Sequence, residues 1–503
     1  MLKTKLLTGK EGWTFMNISQ HITSYTKRHK IGICIMAVVF FVDLIYLSNT
    51  TSNVPIMDYW RYGDEFLYEI FNGGIRFDTF WESINGQRGF LTYLLFFINV
   101  KFFHWNTRVA IFFGSFVTFL TGLLLLYIMD SNAKGQGRKA KILEGAIVTG
   151  VSMLLFNYIQ WEIKVIEFAA PFAVITFFVV LNMWLGDYIL NHLDIGYGKI
   201  FGYAVLLGLS ICFIYSAFFP AVVGAIGLCG MFHFFVQFKK DGFSYIGAYL
   251  IVGAGILLAA GFYLAGIQGI SGSDFNLVEF GKSILDGEFF KGYAVYLGTT
   301  VLHALFSEKF GIRVTGLAGC AVALFYLISI WIYLKHREQI KSYFPVMLIV
   351  YSLLAGVLLS YGRGNVYGVA YMASSRYAFQ SKMGLIGVLL ILKSVLKADG
   401  QQIARWRYVL NAAAAGCVIG ALLASQAAEF KLSPYRRANY DALIETMHHI
   451  DSKEDDELVG FQATTPEQVR NTVEYMKMYR LGVFANLPPD GRYDGTGREA
   501  DGD

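Results

Sequence analysis

Apolar stretches about as long as a bilayer core is thick recur along this chain, and they leave few folds open. Crossing about 30 Å of hydrocarbon takes about 20 residues of helix. Runs of that order recur from Ile31 to Ala427. In lipid, backbone N–H and C=O groups must pair within the segment, so such runs have to be helical. Charged residues make up 16% of the chain, where a soluble domain has about 25%. The mean hydropathy is +0.47. The pattern predicts an all-α polytopic membrane protein.

Eleven spans are expected, at about 31–47, 109–129, 143–159, 165–185, 200–215, 221–238, 245–267, 314–334, 343–361, 383–397 and 408–427. Charge sets their direction. Residues 1–30 carry Lys3, Lys5, Lys10, Lys27, Arg28 and Lys30 against Glu11 alone, which makes them cytoplasmic by the positive-inside rule. Basic residues also mark the turns holding Lys134, Arg138, Lys139 and Lys141, then Lys239 and Lys240, then Lys335, Arg337 and Lys341, then Arg405 and Arg407. Only the inner loop 187–199 is less basic than the rule prefers. The amino terminus is therefore in and the carboxyl terminus out. The long loops 48–108, 268–313 and 362–382 fall outside, as does a small tail, 428–503. The first run lacks a small-x-small cleavage site, so it reads as a retained span within a transmembrane domain, 31–427.

Within the outer loops, 89–105 and 293–306 are apolar but too short to span. Both are expected to be helices at the membrane surface. The tail has helical patterning around 440–449 and 466–481, and its end beyond Pro488-Pro489 looks disordered.

Several functions are excluded or disfavoured. No phosphate-cradling glycine motif follows a strand. The net charge of +5 sits in short loops between spans and does not suggest nucleic acid. The five cysteines, Cys34, Cys212, Cys229, Cys320 and Cys417, lie in apolar runs without metal-ligand spacing. A pore or pump would carry charges inside its spans. Here Asp43 is the main exception, so the working surface is the outer face.

The first outer loop is far longer than a connector needs. It opens with Val54-Pro55-Ile56-Met57-Asp58-Tyr59-Trp60-Arg61-Tyr62-Gly63-Asp64-Glu65. With the other outer loops it offers carboxylates (Asp58, Asp64, Glu65, Glu162), cations (Arg61, Arg88, Lys101, Lys291, Arg363, Arg376) and aromatic walls (Tyr59, Trp60, Trp161, Tyr367, Tyr377). That set suits a donor of the form lipid–phosphate–sugar. A base takes the acceptor hydroxyl's proton as it attacks. Cations stabilise charge on the departing phosphate, and an arginine fork can hold two of its oxygens.

At these residues the chain resembles the GT-C glycosyltransferases, membrane enzymes that use polyprenyl-phosphate sugars. The resemblance rests on a single span leading to a large external loop with the early acid of Met57-Asp58-Tyr59-Trp60. It rests also on surface helices in that loop, a long loop after span 7 and an external tail. Asn85-Gly86-Gln87-Arg88-Gly89-Phe90 and Ser374-Ser375-Arg376-Tyr377 look similar to bacterial O-antigen glucosyltransferases of the serotype-converting kind. The resemblance implies a GT-C-like domain in a bacterial cytoplasmic (inner) membrane. It implies inverting transfer of a sugar, glucose by analogy, from undecaprenyl phosphate to a surface polysaccharide or lipid-linked glycan. A synthase and a flippase would supply the donor. Asp58 is the expected base. Arg88, Lys101, Arg363 and Arg376 are expected on the donor phosphate, with Glu162, Trp60, Tyr377 and Asp64 positioning substrates. Relatives often pair acids in the first loop, whereas Tyr59 follows Asp58 here. A lone base without metal or cofactor is therefore expected.

Each residue also has a plainer reading. Asp58 is well placed to cap a helix. Asp64 and Glu65 can be solvated charges, and Glu162 can simply pair with Lys164. Arg88 and Lys101 can anchor at headgroups, His303 can be structural, and Asp43 can bond to neighbouring helices. Two other functions fit a similar outer face: a polysaccharide polymerase or ligase using lipid-diphosphate donors, and a lipid or solute transporter.

Overall fold

The computed structural model describes residues 15–81, 83–84, 87–129, 138–216, 218–265, 277–398 and 405–486. In chain order the helices begin with α1 Phe15–Thr50, α2 Tyr59–Asn72, α3 Phe90–Phe103, α4 Thr107–Met129, α5 Arg138–Leu155, α6 Trp161–Lys164, α7 Ala169–Leu190, α8 Tyr197–Ile211, α9 Phe219–Asp241 and α10 Ile246–Leu264. They continue with α11 Leu277–Leu285, α12 Glu288–Gly298, α13 Ala304–Phe310, α14 Ile312–Lys335, α15 Phe344–Leu359, α16 Asn365–Tyr367, α17 Ala378–Ala398, α18 Arg405–His448 and α19 Pro466–Tyr479. Extended pairing among the described residues is confined to two-residue strands, Ser83–Ile84 against Gln87–Arg88.

Nine helices among the described residues are long and apolar enough to cross a membrane. They are His29–Thr50 within α1, then α4 and α7, Tyr197–Ile214, α9, α10 and α14, Phe344–Tyr367 and Ser375–Val395. The chain is an all-α, multi-pass membrane protein. The expected spans 143–159 and 408–427 fall on α5 and α18, each of which runs partly outside the residues whose side chains are described. Also outside the described residues lie the basic turn at Lys134, the residues Asn85 and Gly86, the start of the 268–313 loop and the segment beyond Pro488.

Close helix contacts depend on missing side chains, as is usual between membrane helices. A Cβ on Gly114 of α4 would sit 2.5 Å from the Ala169 backbone of α7. One on Gly319 of α14 would sit 1.6 Å from the Ala294 carbonyl of α12, and one on Gly298 would sit 1.9 Å from the Thr315 carbonyl. These contacts correct the expected surface position of segment 293–306. Its first part, the end of α12, is packed inside, with Tyr296 fully buried, while residues 304–306, at the start of α13, are not buried. The Tyr293 and Tyr296 hydroxyls donate to the Leu353 and Ser352 carbonyls of α15 at 2.8 and 3.2 Å. The bare surface of Gly356, which a Cβ would bring within 2.6 Å of Tyr296, makes room for both rings. By contrast α3 keeps Phe102 and Phe103 exposed while Tyr93, Phe96 and Val100 are buried, as a surface-lying helix should.

The described residues form two apolar cores. One joins the long helices. The other is a cap, built from the end of α1, from α2 and α3, and from the tail. Apolar residues of α2 fall on one face, with Tyr59, Trp60, Tyr62, Gly63, Phe66, Leu67 and Ile70 buried. The helix stops at Gly73, whose φ of 82° suits a residue without Cβ. The Thr465 hydroxyl caps α19, which buries Val469, Thr472, Val473 and Met476 at helical spacing. Gly63 lets the two helices touch, since a Cβ there would come within 2.4 Å of Thr472. The tail is thus a structural half of the cap. The helical patterning expected around 440–449 falls on the end of α18, which runs 44 residues, through Pro434, to His448.

Candidate functional site

Asp58 stands immediately before α2. Its position invites a helix cap, yet its side chain makes no capping bond, and no hydrogen bond or ion pair to it occurs among the described residues. The backbone just before it is strained: Met57 has φ of +62°, which L-residues other than glycine seldom adopt. The Met57 N–H donates to the Phe461 carbonyl of the tail at 3.0 Å. The tail therefore fixes the entry to α2. One helical turn on, the guanidinium of Arg61 has Nε and Nη2 buried without hydrogen-bond partners. Its nearest acid is Glu65, at 3.9 Å, and it lies 5.6 Å from the Tyr62 ring centre. Spacing by three residues puts Asp58 and Arg61 on one side of the helix start.

A second group of charges joins the turn at α6 to the segment before α17. Glu162 accepts hydrogen bonds from the Ser374 and Ser375 hydroxyls at 3.1 and 3.0 Å. Arg376 Nη2 lies 2.6 Å from the same carboxylate, and Arg376 Nε donates to Ser374 Oγ at 3.0 Å. The side chain of Arg376 stays 32% exposed, so part of the fork faces outward. Tyr371 lies beneath it at 5.8 Å, and Tyr377 is 6.0 Å from Tyr371. Arg363 belongs to a π-turn, Ser360–Gly364, at the end of α15. Such turns often accompany functional sites. The Arg363 guanidinium lies 5.8 Å from the Tyr367 ring and forms no ion pair among the described residues.

A buried hub that the sequence did not reveal ties the second group to the end of α1 and to the tail. Glu429 of α18 is fully buried. It accepts from the Tyr46 hydroxyl at 2.8 Å, from His303 Nε2 at 2.9 Å and from Arg436 Nη2 at 2.7 Å. Burial alone would raise its pKa, but the hydrogen bonds from His303 and Arg436 overcome this and hold the carboxyl below its ordinary value. Arg436 in turn lies 3.2 Å above the centre of the Trp161 ring, beside Glu162. The end of α1, two of the long loops and the tail thus meet at one end of the bundle. The spacing Glu429 to Arg436, two helical turns, was the available signal. It was hidden by treating 428 onward as a tail.

Other expected site residues lie apart. Arg88 is buried, with Nε and Nη1 donating to the Tyr263 and Trp81 carbonyls at 3.2 and 2.6 Å. Its Nη2 is buried without a partner, and burial lowers its pKa. Among the described residues its hydrogen-bond partners are not those of Arg376. Lys101 is exposed over the Phe71 ring. Trp60 is fully buried against Phe461 and is a core residue. Asp64 accepts a 3.0 Å hydrogen bond from Asn471 and ties α2 to α19. Lys164 pairs with Asp43 at 2.7 Å, both buried, and not with Glu162. Among the described residues no cluster of His, Cys, Asp or Glu forms a metal site.

Glu167, in the turn before α7, is 1% exposed. One carboxyl oxygen accepts from Trp105 Nε1 at 2.7 Å, while the other is buried and unpartnered. Burial pushes its pKa well above the ordinary value of 4.5. The folded chain therefore holds this proton at a pH where the unfolded chain has lost it, and stability falls as pH rises above the ordinary carboxylate value. Glu167→Gln should flatten that dependence between about pH 5 and pH 8 while keeping the Trp105 bond. Thermal unfolding in detergent across that range is the check, and an unchanged slope would contradict it.

No family model, curated protein or solved structure matches this chain.

Proposed function

We propose that the protein is an inverting glycosyltransferase of GT-C type. It has eleven spans and acts at the outer face of a bacterial cytoplasmic membrane. Its donor is a polyprenyl-phosphate sugar, glucose by resemblance, and its acceptor a surface polysaccharide or a lipid-linked glycan. The observation that carries this reading is the Asp58 carboxylate: among the described residues it has no capping bond, no ion pair and no hydrogen bond, and it follows Met57, whose strained backbone is tied to the tail. An idle carboxylate maintained at such cost suits a general base.

In this scheme the acceptor oxygen attacks the anomeric carbon and gives its proton to Asp58. The bond between that carbon and the phosphate oxygen breaks, and its electron pair leaves with the lipid phosphate. Arg363 and the outward part of Arg376 receive the phosphate. Arg61, which follows Asp58 by three residues and is held only loosely by Glu65 at 3.9 Å, is added as a third cation. Glu162, Ser374 and Ser375 orient Arg376, and the Tyr371 and Tyr377 rings flank it. Arg88, with one free nitrogen, belongs to a separate patch near Trp81 and Tyr263. Lys101, Trp60 and Asp64 support the cap.

A hydrogen bond to a charged group contributes about 1.5–3 kcal/mol. Arg376→Ala should therefore weaken binding of a polyprenyl-monophosphate sugar about 10- to 100-fold. Donor affinity of the purified chain measured by equilibrium binding tests this. Unchanged affinity in both Arg376→Ala and Arg363→Ala would remove the phosphate site. Preferential binding of a lipid-diphosphate sugar would favour a polymerase or ligase instead.

A further inference from the structure

The cap carries a surface that the transfer chemistry does not use. On α2 and α19, Phe71 and Tyr479 stack face to face at 4.2 Å, with planes 12° apart. Lys101 closes the outer face of this stack, 4.8 Å from the Phe71 centroid. Asn72 Nδ2 donates to the Tyr479 hydroxyl at 2.8 Å. The row continues through Tyr475, 6.4 Å from Tyr479, to Tyr68, 6.3 Å from Tyr475. Tyr68 is 55% exposed. The inner rings brace one another, and the outer two leave ring surface open. On the adjoining side of α2 lies a polar cleft of about 310 Å³ lined by Glu65, Glu69, Arg76, Asp78 and Thr79. Arg76 and Asp78 are paired across it at 2.7 Å.

We infer that the Tyr68–Tyr475 rings and the Glu65–Glu69–Asp78 cleft bind a neutral saccharide chain, holding the glycan acceptor on the cap away from the reacting centre. The inference rests on the proposed function for its acceptor class, but it is tested by binding alone. Pyranose rings present apolar C–H faces that lie on exposed aromatic rings, and hydroxyls that donate to carboxylates. The present pattern supplies both side by side. A lipid surface would also accept exposed aromatics. However, the four acids Asp64, Glu65, Glu69 and Asp78 outnumber the three cations Arg61, Arg76 and Lys101 beside them, and that balance opposes anionic headgroups. Braced rings also lose little conformational freedom on binding.

The test uses the full chain in detergent on an array of neutral oligosaccharides containing glucose, galactose, mannose, rhamnose and N-acetylglucosamine. Binding to at least one of them is expected. The Tyr68→Ala/Tyr475→Ala double variant should lose at least about tenfold in affinity, and Tyr68→Phe should retain most of it. Tyr68 is exposed and Tyr475 half-buried against the cap, and an unchanged thermal midpoint confirms that the variants fold. Absence of any array signal would overturn the inference, as would equal binding by the double variant. It would also be overturned if the double variant lost only its affinity for phosphatidylglycerol vesicles. Loss of array binding with transfer intact on a short acceptor would leave the proposed function standing. Binding without transfer would sink that function and not this surface.

Discussion

Asp58→Asn is expected to lower glycosyl transfer by about a thousandfold, within the range a positioned general base supplies. An asparagine amide has nearly the shape of the carboxylate but cannot take the acceptor's proton. The substitution should cost little in folding, because Asp58 makes no capping bond that asparagine would have to replace. Donor affinity should also persist, since Arg363 and Arg376 are untouched. Initial rates with saturating donor, alongside thermal midpoints, separate these effects. Activity within tenfold of the unmodified protein would remove Asp58 as the base. Loss of the folded state would show that its role is structural.

Glu429→Ala should give the largest loss of stability. The substitution leaves the buried Tyr46 hydroxyl, His303 and Arg436 without their shared acceptor. Breaking a buried, paired charge costs about 3–5 kcal/mol, because the partner is left uncompensated. Arg436 would also lose the anchor that holds it over Trp161, loosening the turn that carries Glu162. The depressed pKa of Glu429 has a pH consequence of its own. Its contribution is complete above the ordinary carboxylate value and is lost as pH falls through the lowered folded value. A fall in thermal midpoint at neutral pH, shrinking in acid, is the expected result. An unchanged midpoint at neutral pH would mean that the hub is not holding the loops together.

What could be read in the sequence was set by the range of the physics involved. Span lengths and basic turns are local signals, so the helices at 109–129 and 221–238 coincide with α4 and α9 to within a few residues. Segment 293–306 was misplaced because its burial depends on absent side chains at Gly319 and Gly356, one on each of two other helices. The tail was underestimated for a similar reason. Its apolar residues Val469, Val473 and Met476 look like an amphipathic surface helix until α2 is brought against them. Among site residues, Asp58 stood out as an acid following a span. Its lack of a capping bond could not be seen without coordinates. Glu162 pairs with Arg376, while the partner read for it, Lys164, is engaged by Asp43. Trp60 looked like a substrate wall because an aromatic next to an acid carries no sign of whether it faces a cavity or Phe461.

The central claim is covalent transfer from a lipid monophosphate at one face of the membrane. The direct measurement reconstitutes the purified chain in sealed vesicles with a polyprenyl-phosphate hexose and a glycan acceptor, and follows the acceptor by mass spectrometry. The account predicts an acceptor heavier by one hexose and an equal amount of polyprenyl phosphate released, both abolished by Asp58→Asn. Movement of the lipid sugar across the bilayer with no change in acceptor mass, in the unmodified protein, would contradict it.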